Sequence, residues 1–94
     1  MLTLIYVDEE EFFTLGPNDK VPLRRKELSV EDAVAFSRSE EGMSTAYMEA
    51  ALMTREEAGR FSVACYMEGM DHPPEALLQE DGTYSVFLWD ELGK

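Results

Sequence analysis

The sequence predicts an α+β fold: a small antiparallel sheet, made of an N-terminal meander and a C-terminal hairpin, with two or three helices packed on one face. Three observations predict it. Residues 2–7 (Leu-Thr-Leu-Ile-Tyr-Val) are rich in β-branched and aromatic side chains, as strands are. Two helix-start signatures, Ser29-Val30-Glu31-Asp32 and Thr54-Arg55-Glu56-Glu57, punctuate the middle third. Asp81-Gly82 then precedes an apolar run, the pairing that marks a tight hairpin.

Taken in order, residues 2–7 form a strand with two usable faces. Asp8 to Glu11 follows as an acidic turn, and Phe12 to Leu15 reads as a second strand. Gly16-Pro17-Asn18-Asp19 is a turn, because Gly and Asn accept positive φ and Pro presets its own. Val21 to Leu23 makes a short third strand that Pro22 confines to an edge. A helix begins after Ser29, with Leu28 before the cap and Val30, Ala33, Val34 and Ser37 on one face; Gly42 stops it. Ser44 or Thr45 caps a second helix that runs to about Met53, and the Thr54 box opens a third that ends at Gly69.

Cap signals are statistical, so one continuous helix over residues 43–69 is the alternative. The last helix carries Ala58, Phe61 and Cys65 on one side and Val63, Tyr66, Met67 and Met70 round the other. That belt is wide enough to meet both the sheet and a neighbouring helix. Asp71-His72-Pro73-Pro74 is a break, and Glu75 to Gln79 leads into the hairpin turn. The strand Thr83 to Trp89 alternates Tyr84, Val86 and Leu88 with Phe87 and Trp89, apolar on both faces. Such a strand is central, or its outer face binds something. No linker, repeat or low-complexity tract interrupts residues 1–94, which read as a single domain.

Charge is the strongest functional signal. Twenty Asp and Glu against eight Lys and Arg give a net charge of −12. Four of the cations sit in one island, Lys20, Arg24, Arg25 and Lys26, so residues 27–94 carry fifteen acids against four bases. Such a field attracts cationic surfaces and repels nucleic acid and anionic membranes, which argues against direct binding to either. A 45% hydrophobic fraction argues for a folded chain despite the charge. One cysteine, Cys65, permits no internal disulfide and suits a reducing compartment. The first residues lack the basic region and cleavage site of a signal peptide, and no apolar run approaches the length of a membrane span. The expected location is cytoplasmic.

Catalytic and cofactor chemistry finds no support. His72 adjoins Asp71, but in a Pro-Pro loop with no nucleophile fixed nearby. Cys65 lies among Phe61, Ala64 and Met67, without the cations that activate a thiol, and reads as a buried small hydrophobe. Asp8-Glu9-Glu10-Glu11 offers oxygen ligands but lacks the spacing of a calcium loop, and His and Cys are too few for a transition metal. The glycines are scattered, with no phosphate-binding loop. We therefore expect no metal, no cofactor and no enzymatic activity. The basic island reads as an internal or dimer partner for the acids.

The acids recur in runs: Glu9-Glu10-Glu11, Glu31-Asp32, Glu40-Glu41, Glu56-Glu57, Glu80-Asp81 and Asp90-Glu91. Glu31-Asp32 and Glu56-Glu57 fall in first helical turns, where the helix dipole favours them. Glu40-Glu41, and Glu68 with Asp71, fall near predicted helix C-termini, where it opposes them. Placement against local stability points to another use. The expected function is therefore that of a small acidic inhibitor, its carboxylates replacing nucleic-acid phosphates on a partner's basic, nucleic-acid-binding surface. The partner-binding residues would be Glu9, Glu10, Glu11, Glu40, Glu41, Glu68 and Asp71. In size and charge alone, the chain resembles phage-type inhibitors of restriction and CRISPR defence complexes. The alternative is an adaptor or homodimer that uses a Met-rich and aromatic apolar surface, with the acidity serving solubility.

Overall fold

The computed structural model describes residues 1–90. Its elements run β1 (Leu2–Asp8), α1 (Glu9–Phe13), β2 (Arg24–Leu28), α2 (Val30–Arg38), α3 (Glu40–Met43), β3 (Thr45–Met53), α4 (Arg55–Met67), β4 (Ala76–Leu78) and β5 (Tyr84–Asp90). The five strands form one antiparallel sheet in the order β2-β1-β3-β5-β4. Leu2, Leu4 and Tyr6 of β1, Met48 and Ala50 of β3 and Val86 of β5 meet Val30, Ala33 and Val34 of α2 and Phe61 and Cys65 of α4 in one buried cluster. The α+β class and the helices on one sheet face are as the sequence predicts. Among the described residues no helix is long and apolar enough to cross a membrane.

Local chemistry accounts for the helix boundaries. The Oγ of Ser29 accepts from the Asp32 N–H at 3.1 Å and starts α2. Thr54 and Glu57 form a reciprocal capping box at the start of α4. Gly69, at φ 93°, ends it: the Met70 N–H reaches the Cys65 carbonyl and the Gly69 N–H reaches that of Tyr66, closing a Schellman turn. Asp81 accepts from the Thr83 N–H at 2.9 Å, and Gly82 takes φ 86°, so the β4–β5 hairpin turns where the sequence places it.

Four assignments of secondary structure are overturned. Residues 12–15 hold no strand: Asp8 caps α1 by accepting from the Glu10 N–H at 2.9 Å, and the acidic run becomes its first turn. Val21 to Leu23 is loop, and β2 opens with three of the island's four cations, Arg24, Arg25 and Lys26, since charged side chains suit an exposed edge strand. Gly42 does not stop α2, which ends at Arg38; it is buried inside α3 against the Phe36 carbonyl. Most consequentially, Thr45–Met53 is strand β3 rather than a helix, which also overturns a continuous helix over residues 43–69. Ala46, Met48, Glu49, Ala50 and Leu52 favour helix locally. Yet β3 is paired on both edges, and Met48 and Ala50 are fully buried opposite Tyr6 and Leu4, so sheet pairing prevails.

Two bulges keep apolar side chains inward. Leu52 takes φ 60°, and the register shift there brings Met53 into the core opposite Tyr84. In β5 an extra residue, Leu88, separates Phe87, opposite Glu49, from Trp89, opposite Met48. Phe87 and Trp89 therefore do not share a face, contrary to the plain alternation expected from the sequence; Trp89 packs against the core.

Candidate functional site

The acids gather where β1 ends and β3 begins. The Glu9 N–H donates to the Ser44 carbonyl at 2.9 Å and ties the start of α1 to the end of α3. In turn the Ser44 N–H bonds the carbonyls of Glu40 and Glu41, at 3.1 and 3.2 Å, so both acidic runs are carried on joined backbone. Ser39 caps α3 by accepting from the Gly42 N–H at 3.1 Å. Glu40 and Glu41 thus open a helical turn rather than close one, and the dipole does not oppose them as the sequence reading expects.

Glu9 lies at the centre of three adjoining depressions of about 450, 360 and 160 Å³. On one side Glu9 and Glu10 stand beside Phe13 and Ser44; on the other Glu9 faces Met43 and Trp89. Phe13 is 64% and Met43 66% exposed. The floor is fixed. The Trp89 indole N–H donates to Thr45 Oγ1 at 2.7 Å, and the Thr45 hydroxyl donates to the Gly42 carbonyl at 2.8 Å. The result is a shallow cleft with carboxylates at its rim and exposed apolar side chains within it.

Three of the cations are engaged elsewhere. Arg24 pairs with Glu11, and Lys26 places its Nζ 4.5 Å from the centre of the Phe36 ring. Arg60 lies 3.8 Å from Glu31. Among the described residues Glu9, Glu10, Glu40 and Glu41 make no ion pair. Of the seven acids the sequence singles out, Glu9 and Glu10 line the cleft, and Glu40 and Glu41 are joined to the same corner through the Ser44 backbone without lining it. Glu11 belongs to the Arg24 pair. Glu68 ends α4 and Asp71 lies in the following loop, and neither lines this cleft.

Sequence reasoning missed Phe13, Met43 and Trp89. A signal was there: each acidic run leads into an apolar residue that the core does not use, Glu9-Glu10-Glu11-Phe12-Phe13 and Glu40-Glu41-Gly42-Met43. His72 is exposed in its loop, and burial pushes the Cys65 thiol up, with Arg38 opposing, so the thiolate form is disfavoured. No group of three or more His, Cys, Asp or Glu among the described residues is placed to hold a metal ion. Neither a family model, a curated protein nor a solved structure matches this chain.

Proposed function

We infer that this chain is a small acidic binding protein that occupies a basic, nucleic-acid-binding surface of a partner protein and so inhibits it. The observation that carries this reading is the uncompensated pair Glu9 and Glu10 at a partly apolar cleft, with the Glu40-Glu41 turn tied to the same corner through the backbone of Ser44. Carboxylates on a rigid frame compete with phosphates for Lys and Arg, while Phe13 and Met43 cover the aliphatic stems of those side chains. The cleft's apolar content distinguishes it from a merely solvated acidic surface. The same profile is what an inhibitor of a nucleic-acid-directed defence complex requires.

The test is affinity capture from host-cell lysate with stepwise salt elution, repeated with competing DNA or RNA. The expected result is one nucleic-acid-binding protein released at moderate salt and displaced by nucleic acid. Replacing Glu9, Glu10, Glu40 and Glu41 with Gln should weaken that binding roughly tenfold or more without unfolding the chain, at a few tenths of a kcal/mol or more per exposed pair. Glu68→Gln with Asp71→Asn serves as the comparison outside the cleft. Binding that resists salt, ignores nucleic acid and survives the four-residue change would overturn the reading.

A further inference from the structure

Opposite charges are set in a fixed order across the outer face of the sheet, the face that α2 and α4 leave uncovered. The groove of about 640 Å³ beside α4 is different: Arg55 and Arg60 stand against Glu31 and Glu56 there, so charge cancels and nothing selects a partner. In the sheet, Leu4 and Tyr6 of β1 and Met48 and Ala50 of β3 point to the helices. Thr3 and Ile5, Tyr47 and Glu49, and Phe87 opposite Glu49 therefore point away. An uncovered antiparallel face ordinarily alternates to polar residues. Here Ile5, Tyr47 and Phe87 are half-buried on it, with Glu49 among them.

Arg25, Ile5, Glu49 and Phe87 form one cross-strand row, since Arg25 is opposite Ile5, Ile5 opposite Glu49 and Glu49 opposite Phe87. Arg25 and Glu49 thus flank Ile5, each one strand spacing of about 4.8 Å away. The Tyr47 hydroxyl donates to Glu49 Oε1 at 2.6 Å, and the Tyr47 ring lies 6.4 Å from that of Phe87. A carboxylate oriented beside two aromatic rings is a receptor for a guanidinium. Arg25 is exposed and, among the described residues, makes no ion pair, side-chain hydrogen bond or ring contact on a chain with twenty acids.

We propose that two copies of this chain pack their outer sheet faces together, Arg25 of each seated against Glu49, Tyr47 and Phe87 of the other. A two-fold axis along β1 through Ile5 exchanges the strands on either side, so β2 of one copy lies over β3 of the other. Sheets packed face to face lie about 10 Å apart with strands within about 30°, a gap that an Arg and a Glu side chain together span. Ile5 meets its own copy on the axis. Glu27, in the row Glu27, Thr3, Ala51, falls over the small Ala51. The order of signs selects a second copy: a purely basic partner would meet Arg25, and a purely acidic one Glu49. None of these residues lines the acidic cleft, so the failure of either proposal leaves the other standing.

Sedimentation equilibrium of the full chain over roughly 5–500 µM tests this, since a contact a few strands wide lies at the small end of stable interfaces. The mass is expected to rise from 10.7 kDa toward twice that value. Arg25→Glu, on an exposed edge, should keep the circular dichroism and raise the dissociation constant about tenfold or more, because it sets like charges face to face. Arg55→Glu makes the same change in net charge on α4 and should leave the dimer intact. Glu49→Arg should weaken it as Arg25→Glu does. Mixed in equal amounts, the Arg25→Glu and Glu49→Arg variants should pair with each other, since each then supplies the charge the other lacks. A monomer across the whole range overturns the proposal, as does a dimer that tolerates Arg25→Glu or is weakened equally by Arg55→Glu. Two folded variants that stay monomeric when mixed overturn it as well; if Glu49→Arg does not fold, the comparison of Arg25→Glu with Arg55→Glu decides.

Discussion

At Gly42 one missing side chain decides how α2 gives way to α3. A Cβ there would stand 2.0 Å from the Phe36 carbonyl oxygen and 2.9 Å from its carbon. Both are backbone atoms and cannot swing aside. Gly42→Ala is expected to destabilise the protein by about 3 kcal/mol and to lower Tm by roughly 12 °C or more, measured by thermal circular dichroism. A near-wild-type Tm would show that the α2–α3 junction relaxes freely. The Gly42 carbonyl also accepts from Thr45, which holds the Trp89 indole, so loosening this corner should shift the emission of the sole tryptophan. Leu52 shows the converse. It carries a side chain at φ 60°, a conformation that costs about 1–2 kcal/mol, and the bulge it makes places Met53 in the core.

At the scale of elements, α4 is the most locally determined. Its capping box joins the Thr54 N–H to Glu57 Oε1 at 2.9 Å and the Glu57 N–H to Thr54 Oγ1 at 3.1 Å. Thr54→Ala should cost about 1 kcal/mol, read as a fall in the urea midpoint. The Thr54 N–H, followed by the Met1 ammonium 3.0 Å away, holds the Glu57 carboxyl below its ordinary range. A carboxylate depressed by folding adds stability above its unfolded-state pKa, and that stability is lost as pH falls through the folded-state value. Glu57→Gln should therefore flatten the loss of stability between about pH 5 and pH 3, measured by urea unfolding at each pH. An unchanged slope would remove Glu57 from the acid response. Strand β3 is the opposite kind of element. Its Ala, Met, Glu and Leu content reads as helix, and only its neighbours β1 and β5 make it a strand.

Across the whole molecule, twenty acids on 94 residues repel one another, and only a few are answered by a cation among the described residues. Screening that repulsion should stabilise the fold. Between about 20 and 500 mM NaCl the screening length falls several-fold, and Tm should rise by several degrees. A Tm that falls with salt would mean that ion pairs such as Arg24–Glu11 outweigh the repulsion. The distribution of charge also separates two faces. The cleft at α1 and α3 is acidic and apolar, whereas the groove beside α4 is locally neutral.

Much of this was legible from residue chemistry. Ser29, Thr54, Gly69 and Asp81-Gly82 act through neighbours within a few positions, so their caps and turns follow from order along the chain. Strand β1 and the burial of Cys65 follow from hydrophobic pattern. Only the tertiary structure decided that residues 45–53 are a strand, that the basic island forms an edge, and that the Glu9 and Glu40-Glu41 turns are joined through Ser44. Those outcomes depend on partners far along the chain, such as Arg24 opposite Tyr6, Ala51 opposite Thr3 and the Ser44 carbonyl bonded to the Glu9 N–H. Local propensity carries no record of such partners, whereas a central strand satisfies its hydrogen bonds only through them.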